Sequence, residues 1–90
     1  MPRYLILRSF PEGLNIPTNT IGMNECLRIV DNNSIDDVTW IHSYVSTDKK
    51  QSFCIYDAPS PEAVRRAATR NNLPVKTIIE ISILDPYFYL

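Results

Sequence analysis

The chain has 90 residues, 44% hydrophobic and 21% charged, enough for one domain with its own core and unlike a disordered chain. A net charge of -1 with scattered basic residues argues against nucleic acid as a partner, because phosphate binding needs clustered Lys and Arg. Cys26 and Cys54 have no CxxC spacing, and no apolar run approaches the ~20 residues of a membrane helix. The opening MPRYLILRSF lacks the long apolar region and cleavage site of a secretory signal. The expectation is a cytoplasmic protein with both thiols free.

Arg3 to Phe10 alternates at strand spacing, with Leu5 and Leu7 on one face and Tyr4, Ile6, Arg8 and Phe10 on the other; Pro11 and Gly13 end it. Pro17 lies in the connection that follows, since it donates no ladder hydrogen bond. Met23, Cys26, Leu27 and Val30 recur at i, i+3, i+4 and i+7, which predicts a helix capped by Asn19 or Thr20, with these four residues inward. Asp31 to Ser34 stops it.

Val38 to Asp57 reads as a β-hairpin turning at Thr47, Asp48, Lys49 and Lys50. Strict alternation puts Thr39, Ile41, Ser43 and Val45 on one face and Trp40, His42 and Tyr44 on the other. On the second arm Phe53 and Ile55 oppose Cys54 and Tyr56. A second helix begins at Ser60 as N-cap, with Pro61 at the first helical position and Glu62 in the first turn. Ala63, Val64, Ala67 and Ala68 form its inward stripe, and the helix ends near Asn72, before Pro74. Val75 to Leu84 is the last strand, with Ile79, Ile81 and Ile83 on one face and Ile78, Glu80, Ser82 and Leu84 on the other.

The order β-α-β-β-α-β predicts an α+β, ferredoxin-like domain over residues 1–90: a four-stranded antiparallel sheet with both helices on one face and the first and third strands central. The aliphatic set Leu5, Leu7, Ile41, Val45, Phe53, Ile55, Ile79, Ile81 and Ile83 is the face expected beneath the helices. The opposite face, bearing Arg8, Trp40, His42, Tyr44, Cys54, Tyr56 and Glu80, is too apolar to leave open to water. A homodimer of the dimeric α/β-barrel type, formed through that open face and the aromatic tail Tyr87, Phe88 and Tyr89, would cover it. Those seven residues would then line a small-ligand pocket between the two sheets.

Each has a plainer role beside the functional one. Arg8 and Glu80, on adjacent strands, would make a cross-strand ion pair. His42, the sole histidine, would be a packing residue or the ligand of a divalent metal. Arg65, Arg66 and Arg70 read as a solvated helix face. No residue is assigned a catalytic role.

The segments PRYLILRSFPEG, VTWIHSYVSTDKKQSFCIYDAPSPEAVRRAATRNNLP and LDPYFYL closely resemble a bacterial family of small domains of unknown function to which a nickel-binding protein is related. The resemblance implies a ferredoxin-like fold, a homodimer and, in the nickel-binding relatives, metal held at histidine-containing sites. It also implies a further histidine near the end of the second helix, where this chain has Asn71, Asn72, Leu73 and Pro74.

The leading expectation is a dimeric binding protein that takes a small ligand or a divalent metal such as nickel between its sheets through His42. The alternative is a cofactor-free oxygenase or isomerase in which His42 accepts a proton and Tyr44 or Arg8 orients an anionic substrate. A third is a purely structural dimer with a filled interior.

Overall fold

The computed structural model describes residues 1–16 and 19–89. Pro17 and Thr18, in the connection after the first strand, and Leu90, at the end of the tail, lie outside the described residues. Strands β1 (Arg3–Ser9), β2 (Thr39–Val45), β3 (Gln51–Asp57) and β4 (Thr77–Ile81) form one antiparallel sheet in the order β2-β3-β1-β4. Helices α1 (Thr20–Ser34) and α2 (Pro61–Asn71) complete the β-α-β-β-α-β order, and Pro86–Tyr89 forms a short 3-10 turn. No helix among the described residues is long and apolar enough to cross a membrane.

Local chemistry accounts for the element ends. Asn19 Oδ1 accepts from the amides of Ile21 and Gly22 at 3.0 and 3.3 Å to cap α1, and Ser60 Oγ accepts from Ala63 N at 3.2 Å to cap α2. At the far end of α2, Asn72 turns left-handed with φ 55°, and Leu73 N donates back to Ala68 O at 2.9 Å. In the hairpin turn Lys49 is also left-handed, and Asp48 Oδ1 accepts from Lys50 N at 3.0 Å.

The face expected to lie open is the one the helices cover. Tyr4, Ile6, Arg8, Ser52, Cys54 and Tyr56 are buried, together with Ala63, Val64, Ala67 and Ala68 of α2, while Trp40, Val75 and Ile78 pack at the margin. Leu5, Leu7, Phe53, Ile55, Ile79 and Ile81 point the other way, and Ile79 is 50% exposed. The physical reason is volume. The small alanine side chains of α2 leave space over the sheet, and the large side chains Tyr4, Tyr56 and Trp40 fill it.

Helix α1 is likewise rotated from its expected phase. Gly22, Ile29 and Asn33 are buried and Cys26 half-buried, whereas Met23, Leu27 and Val30 are 57%, 53% and 44% exposed. Both stripes have helical spacing, and the buried one includes a glycine and an asparagine that apolar counting passes over. Asn33 Oδ1 accepts from Asn71 Nδ2 at 2.9 Å, which ties the two helices together. Asp36, in the loop before β2, is clamped by Arg66 Nε at 3.1 Å and Arg70 Nε at 2.9 Å. These two arginines are therefore anchored to the fold and are not merely solvated.

Candidate functional site

The side chains expected to converge are divided between two faces. Strand β2 carries a bulge: Trp40 pairs with Tyr56 and His42 pairs with Ile55, leaving Ile41 as an extra residue. Past the bulge the alternation restarts in the opposite sense. Trp40 and Ser43 share the helix side, where Trp40 Nε1 donates to Ser43 Oγ at 2.8 Å. His42 and Tyr44 share the open side, their rings edge to face with centroids 5.1 Å apart.

On the helix side the structure brings together Arg8, Trp40, Cys54 and Tyr56, which line a cavity of about 90 Å³. Phe10, Leu14, Ile29 and Leu73 complete its apolar wall. The strand parity of Phe10 was legible, but the places of Leu14, Ile29 and Leu73 depend on how the loop and helices fold over the sheet. Arg8, 1% exposed, donates through Nη1 to Pro74 O at 2.9 Å and through Nη2 to Tyr56 Oη at 3.2 Å. Burial pushes the Tyr56 phenol up from its ordinary range, against the opposing pull of Arg8 and Asn33. Cys54 Sγ lies 3.7 Å from Ser52 Oγ.

Glu80 does not meet Arg8. It stands across from Tyr4, and Arg8 lies beyond the paired stretch of β4, so the expected cross-strand ion pair does not form. Burial, then the charges of Glu80 and Glu62, push the Tyr4 phenol up. Of the seven residues expected to share one pocket, Arg8, Trp40, Cys54 and Tyr56 thus line a cavity beneath the helices, and His42, Tyr44 and Glu80 do not.

The open side presents three cross-strand rows: Tyr44, Phe53, Leu7 and Thr77; His42, Ile55, Leu5 and Ile79; Thr39, Asp57, Arg3 and Ile81. Its charges are matched, since Arg3 Nε donates to Asp57 Oδ1 at 2.8 Å and holds that carboxyl below its ordinary range. His42 is exposed on the edge strand of this surface.

A family model described as "Nickel responsive protein SCO4226-like" matches residues 4–81. The chain belongs to this SCO4226-like, nickel-responsive family. The crystal structure of SCO4226 from Streptomyces coelicolor A3(2) is similar, with a TM-score of 0.71 and 16% sequence identity over 92% of this chain and 99% of that one. At that identity the likeness shows the shared ferredoxin-like fold. No curated protein matches the chain.

The family's description names nickel. Nickel favours several imidazole, thiolate or carboxylate ligands at defined geometry. Among the described residues no group of three or more His, Cys, Asp or Glu side chains is placed to hold a metal ion. His42 and Cys54 lie on opposite sides of the sheet, and Asp57 is engaged by Arg3.

Proposed function

We propose that the protein is a small nickel-related binding protein that works as a homodimer through its open sheet face, with His42 supplying the imidazole and ligands drawn from more than one copy. The observation that carries this reading is the position of His42. The chain's one imidazole is exposed on the helix-free face, at the edge of an apolar surface formed by Leu5, Leu7, Phe53, Ile55, Ile79 and Ile81. A surface of this kind favours association, and a two-fold pairing would present every ligand twice. The exposed tail residues Tyr87 and Phe88, 79% and 83% accessible, add apolar area to the same need for cover.

For the oxygenase or isomerase reading, His42 and Tyr44 stay together on the open face, while Arg8 lies on the opposite side and cannot share a substrate with His42 within one chain. Titration calorimetry with Ni²⁺ tests the binding reading. Stoichiometric uptake that disappears in His42→Ala supports it; identical isotherms for the two proteins refute it.

A further inference from the structure

We propose that the cavity beneath the helices is a binding site for a small organic monocarboxylate, with Arg8 receiving the carboxylate and Trp40, Ile29 and Leu14 the apolar remainder. The site lies on the sheet face opposite His42, so it stands or falls independently of the nickel reading.

Arg8 carries a charge that no carboxylate among the described residues neutralises. Arg8 is 1% exposed, and both of its hydrogen-bond partners, Pro74 O and Tyr56 Oη, are neutral acceptors. Its Nε is buried with no hydrogen-bond partner. Buried cations are ordinarily paired with a carboxylate, and among the described residues none pairs with Arg8. Asp36, the buried carboxylate, is held by Arg66 and Arg70. Tyr56 does not substitute as an anion, because burial keeps its phenol protonated at neutral pH.

The space beside this cation sets the ligand's class. The cavity holds about 90 Å³, room for several waters but far below the ~300 Å³ of a drug-sized pocket. Ile16, 40% exposed, lies on its rim, so the cavity reaches the surface. Apart from Arg8, Tyr56, Ser43 and Ser52 its walls are apolar, and the two serine hydroxyls are engaged with Trp40 and Cys54. A phosphate would need several free converging donors, and a metal cation would be repelled by the guanidinium. A planar, singly charged carboxylate on a short hydrocarbon meets both requirements, since a guanidinium can donate to both of its oxygens.

Sodium butyrate is a suitable probe, and Trp40, the chain's one tryptophan, reports from the cavity wall. A saturable fluorescence change with a dissociation constant on the order of 1 mM, in reach of so few ligand atoms, is expected. Butyramide, uncharged and nearly isosteric, should bind at least ~10-fold more weakly, and inorganic phosphate should not saturate. Arg8→Met, checked for folding by circular dichroism, should abolish the preference for acid over amide. Equal responses to butyrate and butyramide in the natural protein, or none below ~100 mM butyrate, would overturn the proposal whether or not the variant folds. So would a structure grown in butyrate that shows only ordered water at Arg8 Nε.

Discussion

Trp40 and His42 are two residues apart on β2 yet stand on opposite faces of the sheet, because Ile41 between them falls outside the pairing register with β3. That one inserted residue decides which aromatic side chains reach the cavity and which reach the open surface. Deleting Ile41 should leave Trp40 opposite Tyr56 and His42 opposite Ile55 as neighbours in a regular ladder, each on its present face. We expect a change within about 1 kcal/mol in denaturant unfolding, since Ile41 is the exposed extra residue. A loss of several kcal/mol would show that the bulge itself is needed to hold the two faces.

The packing of α2 gives a second test. Ala67 is fully buried against the aromatic side chains of the sheet. Ala67→Leu should destabilise the fold by about 1–3 kcal/mol through overpacking. The same substitution at exposed Thr69 should stay within about 0.5 kcal/mol.

Arg8 should contribute little to stability for a residue so deeply buried. Replacing an unneutralised buried cation by an apolar side chain of similar length removes a desolvation cost as well as two hydrogen bonds. Arg8→Met is expected to lie within about 1 kcal/mol of the natural protein, or above it. A loss of several kcal/mol would identify Arg8 as a structural keystone.

Acid should loosen the clamp between α2 and the loop before β2. Arg70 first, then Arg66, hold Asp36 below its ordinary value of 3.8, against the contrary effect of its burial. A lowered folded-state value means that this contribution is fully present above 3.8 and is lost as pH falls through the lowered value. Thermal melts of Asp36→Asn should therefore show a lower midpoint at neutral pH and a shallower decline on acidification. Asp48 and Asp57, shifted in the same direction, retain part of the slope.

The sequence carried the elements better than their phase. Ser60, Pro61 and Asn72 act through local backbone chemistry, so the bounds of α2 and its alanine stripe were legible. The strand order followed from the β-α-β-β-α-β succession. Which sheet face the helices cover was not legible, because both faces of β1, β3 and β4 carry large apolar side chains and hydrophobicity alone does not rank them. Size complementarity does: a stripe of alanines leaves room for the bulky Tyr4, Tyr56 and Trp40 opposite. The bulge at Ile41 had no glycine or proline to mark it. Arg8, Trp40, Cys54 and Tyr56 nevertheless meet, because three of them share strand parity and the bulge leaves Trp40 across from Tyr56.

The most direct test of the open face as a meeting surface is the mass of the protein in solution by light scattering at micromolar concentration. The expected result is a mass near twice 10.3 kDa that falls to the single-chain value in Ile55→Asp, at the centre of that face. A natural protein that scatters as a single 10.3 kDa chain, with and without Ni²⁺, would contradict the account.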